Sequence, residues 1–304
     1  MPKWCYIVLG LLLVMAVALY PFQKWITYLF NQRRLESRFS TVNPKHHPDP
    51  RQWPNNRITL SWLGHATMLI YFHGKWILTD PVLGESIGLH LFDKLSFGPR
   101  RLVHCPLGTD QLPVLDFVLI SHAHMDHLDT KSLRQLKSRP IVITASQTSD
   151  CLPMPARELH WGENVETNGV RITAIKVNHW GARLPYGRAR GYNAYLLERN
   201  GHAILFVGDT AYTENLARAC AGRDIDVAIL PIGGYNPYIR SHASPEQTWK
   251  MFTDLKARYL APIHHSTFVL TQEPPDEPLQ RLLAAAGPRA DRVVLREIGE
   301  TFSP

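Results

Sequence analysis

The chain has 304 residues, 45% of them hydrophobic, 10% aromatic and 19% charged, which supports a sizeable core and excludes a disordered chain. Its formal net charge of +7 is uneven: residues 1–57 hold eight Lys and Arg against Glu36 and Asp49, leaving 25 basic and 24 acidic residues for the rest. A near-neutral body lacks the electrostatic footprint of a nucleic-acid binder, and Cys5, Cys105, Cys151 and Cys220 form no C-x-x-C pair, so neither a thiolate zinc site nor a disulfide framework is expected.

The first element is apolar. Trp4 to Gln23 carries no charge and includes the run Ile7 to Leu19, with Trp4, Tyr6, Tyr20 and Trp25 at its ends. About 20 such residues suffice to cross a bilayer as a helix with interfacial aromatics, so residues 1–32 are predicted to be a membrane anchor. Lys24, Arg33, Arg34 and Arg38 follow the run and favour a cytoplasmic body. The alternative is a secretory signal, with Ala16-Val17-Ala18 as its cleavage site, which would release a secreted or periplasmic protein. Residues 33–56, with Pro44, Pro48, Pro50 and Pro54 and no apolar periodicity, read as an extended linker over a body at 57–304.

The body opens with strands at 57–63, 68–72 and 75–79, the last two joined through His73-Gly74; Asp80-Pro81 is expected to end this sheet edge. Residues 82–113 are too long for a plain connection and read as a functional loop. Phe117 to Ile120 is a buried strand that runs into Ser121-His122-Ala123-His124-Met125-Asp126-His127. Thr130 is expected to cap a short helix to about Leu136. Further strands are predicted near 140–144, 170–177, 191–197, 202–207, 226–232 and 259–263. Ser244-Pro245-Glu246-Gln247 is a capping box that opens a helix to about Lys256, and a last helix near 279–286 stops at Gly287.

Four apolar strands in succession end in a candidate ligand: His122 with its neighbours, His179, Asp209 and His264. Imidazole and carboxylate suit zinc, and strand ends gathered on one edge of a sheet sandwich would bring these residues together. At the last of these ends, either His264 or His265 has the right chemistry.

The H-x-H-x-D-H run at 122–127, followed by His179, Asp209 and His264, resembles the signature of the metallo-β-lactamase superfamily. Trp62 to Thr67, Leu78 to Pro81, Gly98 to Arg101, Gly208-Asp209-Thr210, Pro231-Ile232-Gly233 and Pro262-Ile263-His264 resemble more narrowly the branch of N-acyl-phosphatidylethanolamine-hydrolysing phospholipase D. The resemblance implies a four-layer αββα sandwich of class α/β holding two Zn²⁺ ions, with Mn or Fe compatible with the same ligands. His122, His124 and His179 would hold one ion, Asp126, His127 and His264 the other, and Asp209 would bridge. Asp126 and Asp209 are the carboxylates nearest the chemistry, a hydroxide shared by the ions being the nucleophile.

His65, Asp80, Tyr235, His242 and His265 are read as lining the pocket or supporting ligands, Asp80 by accepting from a ligand imidazole. The expected activity is hydrolysis of a membrane phospholipid of the N-acylethanolamine type. Alternatives are a lactone, ester or amide hydrolase of the same fold, or a membrane-tethered metal-binding protein without turnover. Inside the motif Ala123 and Met125 replace the phospholipase's Asn and Tyr, and His265-Ser266 replaces its Trp-Gly, so a different pocket shape is expected.

Overall fold

The computed structural model of the chain describes residues 5, 6, 15, 20, 23, 27, 37–91, 95–184 and 187–304. The predicted N-terminal helix falls almost wholly outside the described residues, among which no helix is long and apolar enough to cross a membrane. The chain divides into Met1–Ser40 and Thr41–Pro304. The body therefore starts sixteen residues before the predicted boundary. The cause is proline burial: Pro44, Pro48 and Pro50 are buried, and Val42 bridges to Val103, so most of the expected linker is part of the body.

Fifteen strands run through the described part of the body: β1 (Ile58–Gly64), β2 (Thr67–Phe72), β3 (Trp76–Thr79), β4 (Leu89–Leu91), β5 (Leu95–Phe97), β6 (Phe117–Ile120), β7 (Ile141–Ala145), β8 (Arg157–Leu159), β9 (Asn164–Thr167), β10 (Val170–Lys176), β11 (Asn193–Arg199), β12 (His202–Phe206), β13 (Val227–Pro231), β14 (Tyr259–Ile263) and β15 (Thr301–Phe302). They form a seven-stranded sheet in the order β15-β1-β2-β3-β6-β7-β8, a six-stranded sheet in the order β14-β13-β12-β11-β10-β9, and the small β4-β5 hairpin inside the predicted functional loop. Both large sheets are mixed, with parallel pairing from β3 through β8 and from β12 through β14.

The two sheets pack face to face because their apolar residues alternate with a period of two. Leu60, Trp62, Met68, Ile70, Phe117 and Leu119 of one sheet meet Ile172, Tyr195, Ile204, Phe206, Ile229 and Ile263 of the other in a single core. The intervening residues are apolar too. Leu205, Ala228 and Leu230 point outward against Trp249, Phe252 and Leu255 of helix Pro245–Leu255 and against Leu282 of helix Glu277–Ala286. On the far side Leu69, Val118 and Ile120 are covered by Leu107, Leu115, Leu128 and Leu133. Strands buried on both faces, with a helix layer outside, give an α/β sandwich with two mixed sheets.

Two local expectations are corrected. Asp80-Pro81 does not close a sheet edge, because β3 lies inside the sheet beside β6, in parallel register Leu78↔Val118 and Thr79↔Leu119. The helix after the histidine run, Thr130–Arg134, is capped by Asp129 rather than Thr130: the Asp129 carboxylate accepts from the backbone N–H of Lys131 and Ser132. The capping box at Ser244 forms as expected, Ser244 Oγ accepting from Gln247 N at 3.3 Å and Gln247 Oε1 from Ser244 N at 3.1 Å.

Candidate metal centre

The parallel pairing of β3 with β6 sets two strand ends side by side, Thr79-Asp80 next to Ile120-Ser121. Asp80 N donates to Leu119 O at 2.8 Å, which fixes its backbone, and its carboxylate turns towards the chain leaving β6. That carboxylate is fully buried and accepts three hydrogen bonds: from Ser121 N at 2.7 Å, from Ser121 Oγ at 2.5 Å and from His127 Nδ1 at 2.6 Å. With its hydrogen committed to Asp80, Ser121 Oγ is an acceptor for His122 Nδ1 at 2.9 Å. One carboxylate thus orients two imidazoles, one directly and one through a hydroxyl, leaving Nε2 of each aimed inward. Burial pushes the Asp80 carboxyl above the ordinary range, against the hydrogen bonds from His127 and Ser121.

After β6 the chain turns tightly, His127 N and Leu128 N both donating to His124 O. This turn brings His124, Asp126 and His127 into the space beside His122. The second sheet supplies the rest from the ends of β10, β12 and β14. His179 Nδ1 donates to Ser241 O at 2.9 Å and presents Nε2 at 3.3 Å from His124 Nδ1. Asp209 follows Gly208, whose φ of +63° and close approach to Ser121 leave no room for a side chain: a Cβ there would lie 2.5 Å from Ser121 Cβ. Asp209 Oδ2 lies 3.2 Å from His127 Nε2, 3.1 Å from His264 Nε2, 3.8 Å from His179 Nε2 and 3.7 Å from His242 Nδ1. Asp126 Oδ2 lies 3.0 Å from His65 Nε2 and 3.5 Å from His264 Nε2.

These side chains fall into two adjoining sets whose donor atoms lie within 4.8 Å of one another: His122, His124, His179 and Asp209, and His65, Asp126, His127 and His264; Asp209, His242 and His264 form a third overlapping set. A cation is what the arrangement needs. Both oxygens of Asp209 are buried without a hydrogen-bond donor, as are His127 Nε2 and His264 Nε2, and such groups are costly unless an ion engages them. The residues present therefore fit a pair of divalent ions.

The electrostatics carry the same signature. Burial, then the neighbouring imidazoles, holds His122 well below the usual range and takes His65 and His124 down to about 3. Burial also takes His242 down to about 3, with Asp209 opposing and His264 reinforcing it. His127 and His264 go the other way. Burial opposes their charge, but Asp209 and Asp126 outweigh it, driving His127 well up and His264 to about 9. Burial would raise Asp126 and Asp209, yet the positive imidazoles, His127 first, hold both well below the carboxylate range. Positive charge at this spot is what the carboxylates select.

Two expected pocket residues are engaged elsewhere. His265 turns away from the centre: His264 adopts φ +64°, and the His265 ring stacks on Trp62 with centroids 4.5 Å apart while its Nδ1 meets Ser266 Oγ at 2.9 Å. This decides between the two adjacent histidines. Tyr235 spends its hydroxyl on Glu277 Oε1 at 2.7 Å, with Arg281 over its ring. Ala123, between two candidate ligands, is fully buried in the core outside the first sheet. His65 and His242, by contrast, face the centre.

His265→Phe should consequently keep the zinc content of the parent, with a stability change under about 1.5 kcal/mol, because the ring's role is packing; metal analysis with urea unfolding checks it, and loss of zinc would overturn the assignment.

A family model described as a β-lactamase superfamily domain matches residues 75–265, the stretch from β3 through the histidine pair at 264–265. The chain belongs to the metallo-β-lactamase superfamily. Among its relatives, an uncharacterized protein of Mycobacterium tuberculosis is 30% identical over 285 residues, covering 90% of this chain and 76% of that one. The mitochondrial N-acyl-phosphatidylethanolamine-hydrolyzing phospholipase D of Saccharomyces cerevisiae is 31% identical over 261 residues, 79% of this chain and 55% of the yeast protein. A metallo hydrolase of the archaeon Ignicoccus hospitalis shares the fold, with a TM-score of 0.58 at 21% identity over 81% of this chain and 98% of that one. Within the superfamily the chain is a metal-dependent hydrolase with candidate His and Asp metal sites.

Proposed function

We propose that this metal-dependent hydrolase is a membrane-associated phosphodiesterase of phospholipase D type, acting on N-acyl-phosphatidylethanolamine-like lipids with two zinc ions. The observation that carries this reading is the likeness to the yeast phospholipase, 31% identical over 79% of this chain. The site agrees with it. Among the described residues, no cysteine belongs to a donor set, and the hydroxyl of Ser121, inside the ligand run, is tied to Asp80. Water is then the nucleophile.

His122, His124 and His179 would hold one ion, Asp126, His127 and His264 the other, with Asp209 between them. When bound, the ions supply Lewis acidity, activating water and offsetting charge as it builds on the phosphate oxygens. The chain's own residues hold the geometry. Asp80 and Ser121 fix the rings of His127 and His122, Ser241 O fixes His179, and His65 Nε2 donates to Asp126 at 3.0 Å, restricting that carboxylate to one orientation. His242 Nδ1 is buried, without a hydrogen-bond partner, and faces Asp209, which supports a role for it in contacting the phosphate of a bound lipid. The apolar run at residues 7–19 and the basic residues after it suit access to a bilayer substrate.

The test is a lipid-class screen of the purified full chain with product identification. N-acylated phosphatidylethanolamine should yield a phosphatidic acid and an N-acylethanolamine. Hydrolysis of lactones alone would overturn the phospholipase reading in favour of attack on carbon.

A further inference from the structure

The segment between β10 and β11 carries His179. It closes on itself, Arg190 N donating to Gly181 O at 2.7 Å, and is pinned to the first sheet by Gly191 N donating to Ser146 O at 2.8 Å. Gly181 sits so close to the returning chain that a Cβ would lie 2.4 Å from Arg190 O. Within this segment two side chains reach the other sheet's ligand turn. The Trp180 ring lies edge-on to His124, centroids 4.2 Å apart at 62°. Arg183 uses one nitrogen, Nη1, to donate both to Ala123 O at 3.1 Å and to Leu128 O.

Ala123 and Leu128 bracket the turn that contains His124, Asp126 and His127. Arg183 therefore spans the gap between the loop that presents His179 and the loop that presents His124, two residues of one donor set. Its hydrogen-bond partners are neutral carbonyls, so the contact itself is not an ion pair. Its contribution is distance: the two N–H bonds of the planar Nη1 point in fixed directions and set the separation of the two loops.

We propose that Arg183 is a positioning residue of the metal centre, clamping the His179 loop onto the His122–His127 turn so that the ion held by His122, His124, His179 and Asp209 binds tightly. The proposal rests on the two-metal reading of the centre. Loss of a group supporting metal ligands typically weakens metal binding by about 10–100-fold. That loss is expected to fall on one of the two ions only, since Asp126, His127 and His264 keep Asp80 and His65 as their own supports.

The experiment titrates the chelator-treated full-length protein with Zn²⁺ in competition with a chromophoric chelator, for the parent, Arg183→Met and Arg183→Lys, alongside thermal unfolding without metal. Arg183→Met should weaken one zinc by about 10–100-fold and leave the other within about twofold. Arg183→Lys, which keeps a donor at the end of a flexible stem, should recover part of the loss. Two zinc affinities equal to the parent's in both variants would overturn the proposal. So would equal affinities accompanied by a lowered unfolding temperature, which would make Arg183 a packing residue only. A parent chain that binds no zinc would instead refute the metal centre itself, an outcome distinct from either.

Discussion

Asp209→Asn is expected to abolish hydrolysis and to lower bound zinc from about two ions per chain to about one or fewer. Asp209 is 2% exposed, and its Oδ2 lies between 3.1 and 3.8 Å from His264, His127, His242 and His179. No other described carboxylate lies this near to nitrogens of both main donor sets. The amide has the same shape, so the fold should hold, yet it carries no charge and offers one oxygen where two were available. Metal analysis of the purified variant beside the parent, with a circular dichroism spectrum as the folding control, is the measurement. Parent-level activity in the variant would refute the bridging role.

Asp80→Ala should be nearly as damaging, by a different route. The carboxylate belongs to no donor set itself, but removing it strands three buried donors: the backbone N–H and hydroxyl of Ser121 and the Nδ1–H of His127. Breaking a buried charged network of this kind costs on the order of 3–5 kcal/mol, and the freed imidazoles should bind zinc about 10–100-fold more weakly. Urea unfolding in excess chelator reads the first effect and zinc titration the second. A variant with the parent's zinc affinity would show that His122 and His127 need no orientation from Asp80.

Much of this centre was legible in the chain because its residues stand where apolar strands stop. His122, His179, Asp209 and His264 each follow a run of buried residues, and the sandwich collects such ends on one edge. What pairing decides was not legible. That Asp80 accepts from a ligand imidazole is expected, but which imidazole it meets depends on β3 lying parallel to β6, a contact between residues 47 positions apart. The choice between His264 and His265 depends on one backbone angle just past a strand, where alternation no longer applies. Tyr235 looked like a pocket residue beside Gly233-Gly234, but Glu277 and Arg281, more than forty positions on, draw it away. Trp180 and Arg183 lie in a loop without periodicity. Their only signal was proximity to His179, and nothing in the sequence says which carbonyls an arginine will find. The short strands β8, β9 and β15 were missed because they are brief and partly exposed, and only the sheet beside them makes them strands.

The donors of this centre come from both sheets: His65 and the His122–His127 run from one, His179, Asp209 and His264 from the other. Ions seated there would be cross-links as much as reagents, stitching the edge of the sandwich in the way a disulfide ties two strands. If they engage the folded chain and not the unfolded one, each tenfold rise in the free metal above an ion's dissociation constant would add about 1.4 kcal/mol to the stability of the fold. The metal supply of the cell would thus govern how long the protein survives as well as how fast it works.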